Sequence, residues 1–221
     1  MSEVTCWYES VCSQLSETCQ YSCIRFREMR YLMEHSNIPP AQQTLTELIP
    51  EKVDYPAFCD LADFKDNILH NVEAGRNLYI YSDSTGNGKT TWAIKIMFKF
   101  FDCVWAGNGF KCRGVFIHVP TFLASLKNFS VSDPKFDELK QNILDVDLVI
   151  WDDIGSVGLS QFDHSQLLSY IDTRVLNKRS NIFTGNIGES KIEECLGTRL
   201  ASRVWNASTK IELKGKDKRG W

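Results

Sequence analysis

The sequence predicts an α/β fold in which a parallel sheet is covered by helices on both faces. Three observations carry that reading. Short, uniformly apolar runs alternate with helical stretches along most of the chain, as strands buried on both faces do. A glycine-rich turn joins the first of these runs to a helix, and a later run ends in two consecutive aspartates.

Taken in order, Ile24 to His35 reads as a helix with Arg25, Arg27, Glu28 and Arg30 among apolar positions. Ser36-Asn37-Ile38-Pro39-Pro40 ends it, because proline disfavours helical geometry in the residue before it. Ala57 to Ala74 is helical, with Gly75 as its stop, and Leu78-Tyr79-Ile80-Tyr81 is a strand. A helix through Phe101 follows the glycine loop, then a strand over Gly114 to Val119 and a helix opened by Pro120, where proline is tolerated. Lys135 to Leu144 is a polar helix leading to the strand Val146 to Trp151. A helix over Phe162 to Asn177, a strand over Asn181 to Thr184, short helices over Ser190 to Trp205 and a strand over Thr209 to Leu213 complete the pattern. A boundary is expected between Asn37 and Asp54. It gives a cysteine-rich segment over 1–36, a linker over 37–54 and the main domain over 55–221.

At 221 residues and 43% hydrophobic, the chain can bury one good core with a small appendage. A net charge of −3 argues against a generally basic nucleic-acid coat, though not against a local basic groove. The most apolar stretch, Trp92 to Phe101, is interrupted by Lys95 and Lys99 and is too short to span a bilayer. The N-terminus lacks the basic and apolar regions of a secretory signal. A cytoplasmic protein without a membrane partner is expected, with its eight cysteines reduced or metal-bound rather than paired.

Chemistry concentrates in two places. Ser84-Thr85-Gly86-Asn87-Gly88-Lys89-Thr90-Thr91 has the makings of a phosphate-binding loop. Glycine lets backbone N–H groups approach the phosphates of ATP, Lys89 reaches the β- and γ-phosphates, Thr90 offers a hydroxyl to Mg²⁺, and the helix N-terminus adds its dipole. The leading glycine of the G-x-x-x-x-G-K-[ST] pattern is replaced by Asp83, which puts the first turn of the loop in question. Downstream, Leu148-Val149-Ile150-Trp151 runs into Asp152 and Asp153. Asp152 suits Mg²⁺, and Asp153 suits polarisation of an attacking water.

These residues, with the Asp152-Asp153-Ile154-Gly155 run and Thr184-Gly185-Asn186, resemble the AAA+ P-loop ATPases that load replicative helicases. This is the DnaC/DnaI type, including phage-borne versions, with the IstB-type transposition ATPases as relatives. The resemblance spans roughly residues 45–221. It implies ATP hydrolysis, with Asn186 as a polar sensor of the γ-phosphate or attacking water. It places an arginine finger in Leu196 to Arg203, with Arg203 favoured and Arg199 as alternate; a salt-bridged helix face is the other reading of both. Arg219, in the basic tail from Lys214, matches a second sensor that contacts phosphate, although a helical lid is absent or minimal. A finger acting in trans implies self-oligomerisation.

Cys6, Cys12, Cys19 and Cys23 could supply four thiolates to a structural Zn²⁺, compensating for the little core that a short front segment can build. Unlinked cysteines in a helical hairpin are the alternative. The resemblance makes this segment a helicase-docking module and implies single-stranded DNA as a partner. Lys95, Lys99, Lys127, Lys135 and Lys140, with Phe122 and Phe129, are possible contacts but equally a solvated face and core. The function implied is ATP-dependent placement of a hexameric replicative helicase on single-stranded DNA. An IstB-type regulator of a transposase on duplex DNA, or a nucleotide switch with little turnover, are the alternatives.

Overall fold

The computed structural model describes residues 6–8, 12, 22–44, 47–104, 110–127, 133–156 and 158–217. Five strands form one parallel sheet in the order β2-β3-β4-β1-β5: β1 is Asn77–Tyr81, β2 Gly114–His118, β3 Leu148–Asp152, β4 Ser180–Gly185 and β5 Ser208–Glu212. The α-helices that flank it are α1 (Ile24–His35), α2 (Tyr55–Asp66), α3 (Ile68–Glu73), α4 (Lys89–Cys103), α5 (Val119–Lys127), α6 (Pro134–Asp145), α7 (Gln161–Leu176) and α8 (Glu189–Ala201).

Strand alternation divides the core into two layers. Leu78, Ile80, Leu148, Ile150 and Ile182 face α1 to α4, whereas Tyr79, Val149, Trp151 and Phe183 face α5 to α8. Successive strand side chains point to opposite faces, so a strand buried on both sides must be apolar throughout. The three-layer architecture is thus the one the sequence predicts.

Two expected elements are divided. The helix expected over 57–74 breaks at Asn67 (φ −97, ψ 17), whose Nδ2 caps back onto the Asp63 carbonyl and carboxylate at 3.0 and 3.2 Å. Asparagine competes for backbone partners in this way and so favours helix ends. The helix bearing the candidate arginines is kinked at Gly197 (φ 69) and passes into a π-helical turn over Ser202–Asn206. Arg199 and Arg203 therefore do not share the face of one regular α-helix.

The expected linker is not set apart from the domain. Met29, Leu32 and Met33 of α1 and Ile38 beyond it belong to the same apolar cluster as α4. Ser36 O accepts the N–H of Phe116 at 2.7 Å, and Asn37 Nδ2 donates to Phe116 O at 2.9 Å. This segment thereby caps the outer edge of β2, which would otherwise present unpaired backbone groups. Further along, the fully buried Asp54 receives backbone N–H groups from Lys214 and Gly215.

At the amino ends of the strands one cation organises the layers. Arg174 on α7 is fully buried. Its guanidinium donates to the carbonyls of Ile143, Val146, Asp147 and Ser180 at 2.7, 2.9, 3.3 and 2.6 Å, and to Asn181 Oδ1 at 2.8 Å. Burial pushes its pKa down to about 9, still cationic at neutral pH. Arginine's rigid fork suits such a set of acceptors, and lysine cannot reproduce it. Arg174→Met should strand buried carbonyls and lower stability by about 3 kcal/mol or more; urea denaturation measures it, with Arg174→Lys expected to recover only part.

Candidate nucleotide-binding site

The parallel sheet brings the carboxyl ends of its strands to one edge, where ligands of open α/β sheets bind. There the loop after β1, the start of α4 and the ends of β3 and β4 enclose a cleft of about 340 Å³. It is lined by Thr85, Gly86, Asn87, Gly88, Lys89, Thr90, Thr91, Asp152, Asp153 and Asn186, with Gln42 and Leu48 from the preceding segment.

Gly86 and Gly88 hold left-handed backbone (φ 72 and 100), a geometry that turns successive N–H groups towards one centre. A Cβ on Gly88 would also crowd Leu48 Cδ1 at 3.0 Å. Asp83, where the pattern has glycine, is not left-handed. The first turn is closed instead by Ser82, whose Oγ accepts from Ser84 N at 3.0 Å and from Asn87 Nδ2. Lys89 is buried at the floor of the cleft and donates to Ser84 O at 2.7 Å and Asn87 Oδ1 at 3.1 Å.

Asp152 is 6% exposed. Its Oδ1 accepts from Thr90 Oγ1 and Thr184 Oγ1, each at 2.7 Å. Burial raises the Asp152 pKa and the neighbouring Asp153 charge adds to it, while the two hydroxyls oppose the rise. Asp153 adopts φ 63, a left-handed conformation that aspartate tolerates better than most side chains. Its N–H donates to Thr184 Oγ1 at 3.0 Å, and His118 Nε2 lies 4.0 Å from its carboxylate. Asn186 Oδ1 is buried and has no hydrogen-bond partner among the described residues.

This donor set fits a magnesium–nucleotide complex. The Thr90 hydroxyl and the Asp152 carboxylate place two oxygens 2.7 Å apart at the cleft, the ligand type that a hard cation takes. The lysine and glycine backbone face the same space as an anion cradle, and an unsatisfied amide oxygen points to a missing partner. When bound, Mg²⁺ would be held by Thr90 and Asp152 and would neutralise phosphate charge.

Sequence reading missed Thr184 as a member of the site. Only the register of β4 on β3, which pairs Trp151 with Phe183, places its hydroxyl beside both aspartates. The arginines lie elsewhere. Neither lines the cleft; Arg199 is exposed, and Arg203 Nε is paired with the Asp172 carboxylate of α7. Arg219 lies outside the described residues, and among the described residues no helix follows β5.

The other expectations have mixed outcomes. Cys19 lies outside the described residues, Cys6, Cys12 and Cys23 are half-buried, and among the described residues no three His, Cys, Asp or Glu side chains gather to hold a metal. Lys99 pairs with Asp102, Lys127 with Asp163 and Lys140 with Asp137, while Lys95 sits over the Trp92 ring. Phe122 is core, packed on Phe136, Trp151 and Tyr170, and Phe129 lies outside the described residues. Among the described residues no helix is long and apolar enough to cross a membrane.

A family model described as IstB-like ATP binding protein matches residues 25–219. Among solved structures the chain is similar to the DnaC helicase loader, at 21% identity and a TM-score of 0.63, covering 84% of this chain and 99% of that one. It is similar to DnaI at 18% identity and a TM-score of 0.64, covering 79% and 94%. It is also similar to AMPPCP-bound DnaA from Aquifex aeolicus at 18% identity and a TM-score of 0.58, covering 81% and 52%. At these identities the likeness establishes the fold. No curated protein matches the sequence.

Two outcomes follow from the site. Lys89→Ala should weaken binding of magnesium-ATP by about 100-fold or more, read by calorimetry, because it removes the charged donor to phosphate. Asp152→Asn keeps an acceptor for both hydroxyls but deletes a buried charge. A carboxyl whose pKa is raised by folding binds its proton more tightly when folded, so stability falls as pH rises through the raised value. The nucleotide-free variant should therefore melt a few degrees above wild type at neutral pH. That advantage should shrink as pH falls into the ordinary carboxylate range.

Proposed function

Since the chain belongs to the IstB-like ATP-binding family, we propose that it is an ATPase that loads a hexameric replicative helicase onto single-stranded DNA. The observation that carries the reading is the joint placement of Lys89, Thr90, Asp152, Asp153 and Asn186 around one cleft. The fold is one that a solved helicase loader also has.

In this reading Lys89 and the backbone of residues 84–91 bind and orient the triphosphate. Thr90 and Asp152 hold Mg²⁺, which supplies electrostatic stabilisation of charge on the transferring phosphoryl group. Asp153 accepts a hydrogen bond from the attacking water and orients it in line. Asn186 donates its amide to that water or to the γ-phosphate. Leu48, packed over Gly88, helps to exclude bulk solvent from the loop.

Arg203 completes the site from a second copy of the chain. Support for a role in trans is that it does not line its own cleft, and its pairing with Asp172 fixes its position while the copies are apart. In the assembly the arginine must exchange that carboxylate for phosphate, with Arg199 on the exposed side of α8 as the alternate donor. Helicase docking falls to the segment before residue 37. Its helix α1 is continuous with the cap on β2, the strand that ends at His118 beside Asp153.

The resemblance to IstB-type transposition ATPases supports one other reading: an ATP-dependent regulator of a transposase on duplex DNA. Affinity capture decides between them. Tagged protein with magnesium-ATP should retain a purified hexameric replicative helicase and not a transposase; the reverse would overturn the loader reading. Asp153→Asn should bind ATP normally and turn it over about 100-fold more slowly. Arg203→Ala should leave the binding constant unchanged and lower turnover at least tenfold in the assembled state. Equal turnover by wild type and Arg203→Ala would remove the arginine from the mechanism.

A further inference from the structure

The side chain of Asn87 is completely buried beneath the phosphate loop, and its hydrogen bonds reach three parts of the chain. Nδ2 donates to Ser82 Oγ in the loop's first turn and, at 3.2 Å, to the carbonyl of Leu213 beyond β5. Oδ1 accepts from Lys89 Nζ at 3.1 Å. Chemistry fixes which end of the amide faces which partner, because an ammonium only donates and a carbonyl only accepts.

Leu213 is the first residue of a tightly held tail. Its own N–H donates to Tyr81 O at 2.8 Å, at the end of β1. The next two N–H groups, of Lys214 and Gly215, donate to the buried Asp54 carboxylate at 2.6 and 3.0 Å, and that of Lys216 donates to Glu51 at 2.9 Å. The approach is so close that a Cβ on Gly215 would lie 2.3 Å from Asp54 Oδ2. One buried amide thus joins the lysine that meets phosphate to the point where the tail leaves the sheet.

Building on the ATP-binding reading above, we propose that Asn87 is a positioning residue whose side chain reports phosphate occupancy at Lys89 to the tail over Leu213 to Lys216. Phosphate oxygens offer Lys89 charge-assisted bonds stronger than those to an amide. When the lysine turns to them, Asn87 Oδ1 loses its only donor among the described residues while still enclosed, a costly state for a buried acceptor. Rotation of the amide towards a new donor releases the Leu213 carbonyl, and the clamp on Asp54 and Glu51 loosens. The tail carries Lys214, Lys216 and, further on, Arg219. Nucleotide state therefore alters the freedom of a basic segment.

Hydrogen exchange on the full chain tests this, with and without Mg²⁺ and a non-hydrolysable ATP analogue, and with calorimetry to establish that the analogue binds. In wild type the amides of residues 213–216 should exchange about fivefold faster when the analogue is bound, the factor that one lost neutral hydrogen bond produces. Asn87→Ser, which cannot reach Leu213, should show that faster exchange already without nucleotide, and adding the analogue should change it no further. Bound analogue with unchanged exchange in wild type overturns the proposal. So does slow, wild-type-like exchange in nucleotide-free Asn87→Ser, or a variant that keeps the full nucleotide response. Should Asn87→Ser fail to bind the analogue, its nucleotide-free exchange still decides between these outcomes. Calorimetry showing no binding to wild type overturns the ATP-binding reading instead, and this proposal with it.

Discussion

A carboxylate taken almost wholly out of water has to be held by donors, and Asp152 takes its donors from two other elements. Thr90 comes from the first turn of α4 and Thr184 from the penultimate position of β4, and both hydroxyls converge on the same oxygen. Because β4 lies between β3 and β1 in the sheet, this contact spans the gap between the strand that ends in aspartates and the strand that precedes the phosphate loop. The rest of the cleft follows from it. Fixing Thr90 fixes the start of α4 and hence Lys89, and fixing Thr184 orders the turn that carries Asn186. Thr184 also receives the N–H of Asp153, so the same hydroxyl supports the strained backbone that aims the second carboxylate.

The opposite end of the sheet has the reverse electrostatic design. There Arg174 donates to carbonyls at the end of α6, in the turn before β3 and at the start of β4. A cation clamps the amino ends of the strands, and carboxylates and a lysine face the carboxyl ends. The first is fully paired and inert, which is how a buried charge becomes tolerable. The second keeps a buried amide oxygen without a partner among the described residues, as a site awaiting a ligand does. Comparison of the two poles separates a charge that serves packing from charges that serve chemistry.

The fold was legible because uniformly apolar strands and their helices have strong local signals, and Gly155 illustrates the detail available. Its φ of 77, and a Cβ that would fall 2.2 Å from Ile187 Cδ1, explain why glycine follows Asp152-Asp153-Ile154. The phosphate loop was legible for the same reason: its chemistry is contiguous. What escaped depends on register or on competition between distant partners. Thr184 is an ordinary strand threonine until β4 is aligned on β3. The capping role of Ser36 and Asn37 on β2 has no local signature, and so the stretch read as a linker. Arg199 and Arg203 read as one helix face, whereas the kink at Gly197 and the π-turn over Ser202–Asn206 interrupt the regular helix around them. The loop's missing leading glycine raised a doubt that Ser82 answers with a side-chain hydrogen bond.

The position of β1 has a consequence for how the molecule comes into being. It pairs with β4 on one side and β5 on the other, so its partners are synthesised long after it. During translation the strand and its phosphate loop stay without strand partners until β4 (Ser180–Gly185) and β5 (Ser208–Glu212) have been made. Such non-local pairing makes assembly slow and leaves apolar segments open to misassociation in the meantime. It also acts as a quality check: the strand that leads into the phosphate loop is flanked on both sides only once β4 and β5 have been made.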